Sequence, residues 1–163
     1  KYPDGKLPTL ELLYNDSPLN LEIVGALQQM WKTQLGVEVE LNKMEWKVYL
    51  KTRREKNYDI CRAGWIADYA DPLTFLDLFV SGSENNSTGW ANAEFDALIA
   101  RAVVVSDAAE RTQLLQDAET LLLKDLPVAP IYHYVSKHLL SPRVKGWVPN
   151  LLDHHNYKYL SLE

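Results

Sequence analysis

The order of strand and helix patterns along the chain predicts an α/β fold with a mostly parallel sheet. Three short stretches have the apolar or alternating character of strands, at Thr9–Tyr14, Val37–Met44 and Tyr58–Gly64. Helical patterns separate each strand from the next, which gives the order β-α-β-α-β. That order favours parallel strands joined by right-handed crossovers, with helices flanking the sheet.

The first two helices have clear boundary signals. Ser17 is a good N-cap residue, Pro18 suits the first helical position, and Gly36 suits a helix stop. The helix between them is expected to place Ile23, Leu27, Met30 and Trp31 on one apolar face. A second helix is expected at Trp46–Lys56. Within the alternating strand before it, Val37, Val39 and Leu41 are expected to point inward.

The second half of the chain reads as mainly helical with an irregular end. Helices are expected at Leu73–Val80, Ala93–Val105 and Ala108–Lys124, the last one capped by Asp107 with Glu110 in D-x-x-E spacing. Strand-like stretches follow at Val128–Val135, where Pro130 suits an edge, and at Tyr157–Leu162. A polar loop covers Ser81–Gly89, and Asp4-Gly5 is turn chemistry near the start. The sequence predicts one lobe over 1–163, without repeats or a second domain.

Composition excludes several classes of protein. The chain has 163 residues, 47% hydrophobic and 24% charged, which is ordinary for a globular domain with a real core. Its net charge of −5 disfavours a nucleic-acid-binding surface. No stretch approaches the roughly 20 apolar residues of a membrane span. Cys61 is the single cysteine, so no intrachain disulfide can form.

The run Tyr58–Pro72, Y-D-I-C-R-A-G-W-I-A-D-Y-A-D-P, is the richest in chemistry. A cation (Arg62), a large aromatic (Trp65) and an acid (Asp68) follow a strand, where ligands of open α/β sheets bind. Such a set suits a zwitterionic ligand, with Tyr69 helping to exclude water. The competing interpretation is structural.

In that structural interpretation, Asp68 braces the turn before Pro72. Arg62 and Arg53 then form ion pairs with Asp59, Asp68 or Asp71, rather than binding a carboxylate in bidentate fashion.

Signals for catalysis or metal binding are weak. The four histidines, His133, His138, His154 and His155, lack metal-ligand spacing such as H-E-x-x-H. Ser81-Gly82-Ser83 is not a nucleophile elbow, and no glycine-rich phosphate loop exists. A small hydrolase using Asp68 and His133 is the least favoured function, because no oxyanion arrangement accompanies them. We therefore expect no enzyme activity, no metal and no cofactor.

Several segments, in order, resemble the bacterial oligopeptide- and dipeptide-binding proteins that feed ABC importers. The segments are R-A-G-W-x-A-D-Y followed by D-P-L-T-F-L, E-W-K-x-Y-L at Glu45–Leu50, N-N-S-T-G-W at Asn85–Trp90, A-E-F-D-A-L-I-A at Ala93–Ala100 and A-E-T-L-L-L-K-D-L-P-V-A-P-I-Y at Ala118–Tyr132. The resemblance covers nearly the whole chain. It implies a type II periplasmic-binding-protein-like lobe of the peptide-binding class, a carboxyl-terminal fragment of a larger two-lobed protein.

The resemblance also implies roles for individual residues. Asp68 would bind the amino terminus of the peptide, Arg62 and Arg53 would face its carboxylate, and Trp46 would line a side-chain pocket. Backbone from Ala63 through Gly64 to Trp65 would pair with the peptide main chain, which is strand addition with little sequence dependence. The implied partners are the opposite lobe and a membrane permease. The implied location is the periplasm or a lipid-anchored extracytoplasmic position.

Two positions depart from the family pattern. Relatives commonly carry a disulfide-bonded cysteine where this chain has Ile66, and some carry a carboxylate-binding histidine near the position of Asn20. The ligand class stays open among oligopeptides, dipeptides, cell-wall peptides and nickel chelates. An interaction domain with a purely structural charged cluster is the alternative from another class.

Overall fold

The structure is a computed structural model that describes residues 7–163, and the Asp4-Gly5 turn lies outside those residues. The chain divides into two compact units. The first unit contains the described residues up to Trp65, together with Ser87–Gly89. The second contains Ile66–Asn86 and Trp90–Glu163.

The first unit is a small parallel sheet with two helices. Its elements are β1 (Leu10–Asn15), α1 (Pro18–Leu35), β2 (Val39–Met44), α2 (Trp46–Arg54) and β3 (Ile60–Cys61). The strand order is β2-β1-β3, and both neighbours pair with β1 in parallel. The predicted β-α-β-α-β order and parallel sheet are therefore confirmed.

Helix α1 begins and ends where the sequence predicts. The Ser17 hydroxyl accepts a hydrogen bond from the Asn20 backbone N–H, and Gly36 ends the helix with φ of 66°, a conformation that glycine adopts without strain. The predicted apolar face is wrong at Met30, which is 58% exposed, whereas Val24 is fully buried. Val24 packs with Leu12, Tyr14 and Val39 in the core of this unit. The other three predicted residues of the face, Ile23, Leu27 and Trp31, are partly buried.

Strand β3 is shorter than the predicted strand Tyr58–Gly64. The Arg62 N–H still donates to the Leu13 carbonyl over 2.8 Å, but the ladder ends there, and Ala63 and Gly64 are exposed. Within the described sheet β3 is an edge strand that pairs only with β1, and short edge strands are common. The chain therefore leaves the sheet at the residues that carry the R-A-G-W pattern.

The second unit is built on a helix pair. Its elements are α3 (Leu73–Leu76) continued by a 3-10 turn (Asp77–Phe79), α4 (Ala93–Val104), α5 (Ala108–Asp125), β4 (Val144–Lys145), a 3-10 turn (Tyr157–Tyr159) and β5 (Ser161–Leu162). Phe95, Ile99, Leu115 and Ala118 lie at the centre of its core. The Asp107 carboxylate accepts from the Glu110 N–H over 2.7 Å, so the predicted cap is confirmed.

Of the two strand predictions in this unit, one is wrong and the other is confirmed only at its last two residues. Val128–Val135 contains no strand, and Ile131–Val135 is exposed. Pro130 lacks the N–H that a strand interior would need, and no described strand pairs with this segment. The predicted strand Tyr157–Leu162 is a 3-10 turn followed by the two-residue β5, which pairs antiparallel with β4. Short irregular pairings of this kind leave little periodicity in a sequence.

Candidate functional site

The first part of the candidate site is organised around the buried Tyr49 of α2. Its hydroxyl donates to the Arg62 carbonyl over 2.8 Å and accepts from Arg53 Nη1 over 3.5 Å. The Cys61 thiol approaches the same oxygen at 3.6 Å. Burial raises the pKa of Tyr49 to about 12, so the hydroxyl stays protonated and keeps its donor role at neutral pH. Burial likewise raises the pKa of the Cys61 thiol.

Tyr49 brings three of the predicted site residues together. The Trp46 ring stacks on the Tyr49 ring at a centroid separation of 5.5 Å, and the Arg53 guanidinium lies 5.9 Å from the centroid of that ring. Arg62 is held through its carbonyl. Trp46 remains 52% exposed, so about half of the residue is accessible to a ligand.

These residues lie at the carboxyl edge of the parallel sheet. Trp46 follows the end of β2 and Arg62 follows the end of β3. In open parallel sheets, ligands bind beyond the carboxyl ends of the strands, because the loops there converge. The sequence therefore predicted correctly which residues follow the strands, whereas the central role of Tyr49 had no signal beyond its helical spacing from Trp46 and Arg53.

The predicted backbone segment Ala63–Trp65 leaves the sheet at the same edge. Ala63 and Gly64 are exposed, and Trp65 is partly buried. Within the described residues, the Trp65 indole N–H is buried and has no hydrogen-bond partner. A buried donor without an acceptor costs roughly 1–3 kcal/mol, so its presence calls for an explanation.

Asn20 lies at the carboxyl end of β1 and is buried. Its amide nitrogen donates to the carbonyl and to the side-chain oxygen of Asn15, over 3.1 and 3.0 Å. Both amide protons are thereby used within the chain. Asn20 thus fastens the start of α1 to the end of β1, and a ligand-binding role for it stays a prediction.

Asp68 and Tyr69 belong to the second unit. The Asp68 backbone N–H donates to the hydroxyl of the buried Thr74 over 3.1 Å, and the Asp68 side chain is exposed. The Tyr69 hydroxyl donates to the Asp77 carboxylate over 3.2 Å. The backbone of this segment is fixed by α3 while the Asp68 carboxylate faces outward.

Asp71, rather than Asp68, is the acid that stabilises the turn before Pro72. Its carboxylate accepts two hydrogen bonds from Arg111 of α5, over 2.8 and 2.9 Å, and one from the Leu73 N–H at the start of α3. The Arg111 hydrogen bonds lower the pKa of Asp71. Asp59, another suggested arginine partner, accepts from the Glu11 N–H instead.

The loop with the N-N-S-T-G-W pattern is held by Asn86. This buried side chain donates to the carbonyls of Phe79, Val80 and Trp90, over 3.1, 3.4 and 2.9 Å. The preceding Asn85 is exposed. In the first unit, the Tyr58 hydroxyl donates to the Ser87 carbonyl over 2.6 Å. The second asparagine of the pattern is therefore a structural residue.

A histidine cluster lies in the second unit and was missed by sequence reasoning. His138 Nε2 and His155 Nε2 lie 2.9 and 2.8 Å from Asp153 Oδ1. The hydrogen bond from His155 lowers the pKa of Asp153. Sequence analysis weighed the adjacent pair His154-His155, but no local spacing rule joins His138 to His155, which flank β4.

Comparison with known proteins assigns the family. Residues 1–87 match the family of bacterial extracellular solute-binding proteins, family 5, middle region. The chain belongs to that family. No helix of the described residues is long and apolar enough to cross a membrane.

Three relatives illustrate the family, each carrying a different peptide class in its name. The periplasmic oligopeptide-binding protein OppA of Salmonella typhimurium is 42% identical over 139 residues, which cover 85% of this chain and 26% of that protein. The dipeptide-binding protein DppE of Bacillus subtilis is 38% identical over 155 residues, covering 95% and 28%. The structure of the murein tripeptide-binding protein MppA of Escherichia coli has a TM-score of 0.88 at 35% identity, covering 97% and 32%. The predicted peptide-binding-protein fold is confirmed, and the chain spans about a quarter of the length of the two curated relatives.

Proposed function

We propose that this chain is part of the ligand-binding component of a bacterial ABC importer, and that its ligand is a peptide bound with little dependence on sequence. The observation that carries the proposal is the arrangement at the carboxyl edge of the sheet. There Arg62, Arg53 and Trp46 gather around Tyr49. Family membership makes this edge the natural place for the ligand.

The predicted residues divide the ends, side chains and backbone of the peptide among them in this proposal. The exposed Asp68 carboxylate receives the peptide's ammonium group, and Arg62 and Arg53 receive its carboxylate, since guanidinium groups match carboxylates in geometry. Trp46 contacts a ligand side chain. The exposed backbone at Ala63–Gly64 pairs with the peptide main chain, and the unpaired Trp65 indole N–H gains an acceptor if the ring turns toward a peptide carbonyl.

The wider assignments follow from the same proposal. The protein binds and releases its ligand without chemical change, requires no cofactor, and delivers the ligand to a membrane permease. Its location is the periplasm or a lipid-anchored extracytoplasmic position. The described chain is one lobe of a larger two-lobed protein, and the opposite lobe completes the cleft. A cleft with one wall leaves the ligand largely in water and its charges screened.

The kind of peptide is the least constrained part of the proposal. The three relatives are named for oligopeptides, dipeptides and a murein tripeptide. We favour oligopeptides, because backbone pairing at Ala63–Gly64 serves a ligand with several peptide units. Dipeptides, cell-wall peptides and nickel chelates are the alternatives.

Thermal stabilisation of the corresponding full-length protein tests this function. Di- to hexapeptides are each assayed with a free and an acetylated amino terminus, beside free amino acids and a nickel chelate. A ligand that binds only the folded state raises the melting temperature by mass action. We expect a rise with free peptides that acetylation abolishes. A rise with the chelate alone would retain the family and reject the peptide function.

A further inference from the structure

We infer that His138, Asp153 and His155 bind a divalent transition-metal ion, with Zn²⁺ as the representative. The three potential ligand atoms all lie within 4.8 Å of one another. Asp153 Oδ1 is 2.9 Å from His138 Nε2 and 2.8 Å from His155 Nε2. This site shares no residue with the proposed peptide site.

The two histidine-to-aspartate separations fit metal coordination, and the two imidazole nitrogens, which lie within 4.8 Å of each other, would approach one another to share an ion. Zinc bonds of about 2.0–2.2 Å to nitrogen and oxygen place neighbouring ligands roughly 2.8–3.6 Å apart for angles of 90–110°. The two histidine-to-aspartate separations already lie at the short end of that range. Without an ion, the same atoms are joined by hydrogen bonds, and an ion would take the place of the shared protons.

The surroundings hold the imidazoles in place. The Trp147 ring stacks on the His155 ring at a centroid separation of 3.6 Å, and lies 4.9 Å from the His138 ring. Contacts that orient ligand side chains are a regular feature of metal sites, because they reduce the ordering that the ion must impose.

One side of the cluster is open to a further ligand. The His155 side chain is only 9% exposed, whereas His138 and Asp153 are 32% and 43% exposed. His155 also borders a cavity of about 310 Å³, together with Gly146, Asn150 and Tyr159. Three protein ligands with an open position are typical of sites where zinc also binds water or an external ligand.

The donor set selects the class of ion. Two imidazole nitrogens and one carboxylate oxygen suit Zn²⁺, Ni²⁺ or Fe²⁺, whereas Mg²⁺ and Ca²⁺ prefer oxygen ligands. The competing account is a hydrogen-bonded clasp, in which both histidines donate to Asp153 and no ion binds. The metal-site account predicts saturable binding of one Zn²⁺ per chain, whereas the clasp account predicts no such binding.

Titration calorimetry with ZnCl₂ on the untagged, chelator-treated chain distinguishes them, with MgCl₂ as the comparison ion. We expect one Zn²⁺ per chain and no binding of Mg²⁺. His138→Gln, His155→Gln and Asp153→Asn should each weaken binding at least about tenfold, the scale of loss seen when metal-site contacts are removed. Asn tolerates the left-handed backbone of Asp153, where φ is 55°, so that variant preserves the turn.

Matched histidine variants serve as controls. His133→Gln and His154→Gln remove imidazoles outside the cluster and should leave Zn²⁺ binding unchanged. Absence of saturable Zn²⁺ binding in the wild-type chain, or unchanged affinity in the folded His138→Gln/His155→Gln double variant, would overturn the inference.

Tryptophan fluorescence detects the ion without substitution of any of the three metal-binding residues. Added Ni²⁺ should quench the emission of Trp147 beside the site, and Trp147→Phe should remove that quenching. Equal quenching in Trp147→Phe would place the ion elsewhere and contradict the assignment.

Discussion

The two halves of the R-A-G-W-x-A-D-Y run are held in different ways. The first half, Arg62–Trp65, belongs to the first unit, and its start is fixed through backbone atoms, because the Arg62 N–H bonds to Leu13 and the Arg62 carbonyl to Tyr49. The second half, from Ile66, belongs to the second unit and is fixed through the side chains of Thr74 and Asp77. One continuous pattern in the sequence therefore depends on two separate supports.

The N-N-S-T-G-W loop shows the same division. Ser87–Gly89 belongs to the first unit, whereas Asn86 and Trp90 belong to the second. These two resembling segments thus lie where the chain passes from one unit to the other. Such segments combine residues that support the fold with residues free to serve a ligand, and variants of each kind should behave differently.

Removing Tyr49, which holds the Arg62–Trp65 half of the run, should have the largest effect on stability. Tyr49→Ala deletes a fully buried aromatic side chain and should lower the free energy of unfolding by about 3–5 kcal/mol. Tyr49→Phe keeps the ring but leaves the Arg62 carbonyl without its donor, at a cost of roughly 1–2 kcal/mol. Urea unfolding measures both.

Trp46→Ala is the matched control, since its ring touches Tyr49 but is half exposed. It should cost no more than about 1 kcal/mol. Equal losses for Trp46→Ala and Tyr49→Ala would show that Tyr49 does not hold the Arg62–Trp65 segment in place.

Removing the Asn86 side chain, which holds the N-N-S-T-G-W loop, should have an intermediate effect on stability. Asn86→Ala leaves the carbonyls of Phe79, Val80 and Trp90 without the side-chain donor that they share, and should cost about 1–3 kcal/mol in urea unfolding. Asn85→Ala, at the exposed neighbouring position, should change stability by less than about 0.5 kcal/mol. A larger loss of stability for Asn85→Ala than for Asn86→Ala would refute the structural role of Asn86.

Removing the Asp71–Arg111 ion pair of the second unit should have the smallest effect on stability, and that effect should depend on pH. Arg111 lowers the pKa of Asp71, so the stabilisation is complete above the ordinary aspartate pKa and is lost as the pH falls through the lowered value. Asp71→Asn should be less stable than wild type near about pH 7, and the difference should narrow toward about pH 2. The pair is partly exposed, so solvent and salt keep the effect small.

Urea unfolding across this pH range checks the prediction, with the exposed Asp117→Asn as control. A wild-type advantage over Asp71→Asn that is the same at both ends of the range would mean that the charge of Asp71 contributes nothing.

Local signals predicted the regular elements well. Ser17, Gly36 and Asp107 fixed helix ends because capping chemistry is local. The parallel sheet followed from element order. The Val128–Val135 strand failed because β-rich composition says nothing about whether a neighbouring strand exists.

The candidate site was predictable where it depends on position after a strand, as for Arg62 and Trp46. It was not predictable where distant residues meet. The pairing of Asp71 with Arg111, and of His138 with His155 through Asp153, depends on folds of the chain that no short window contains. Sequence analysis named Asp71, His138 and His155, but neither Arg111 nor Asp153.

The central claim, that Asp68 binds the peptide's amino terminus, is tested most directly by calorimetry on the full-length protein. Wild type, Asp68→Asn and the control Asp117→Asn are each titrated with trialanine and with N-acetyl-trialanine. We expect Asp68→Asn to weaken trialanine binding by about 2–5 kcal/mol, the usual loss on breaking a buried charged pair, and to bind the acetylated peptide no worse than wild type does. Wild-type affinity for trialanine in Asp68→Asn, with its sensitivity to acetylation intact, would contradict the claim.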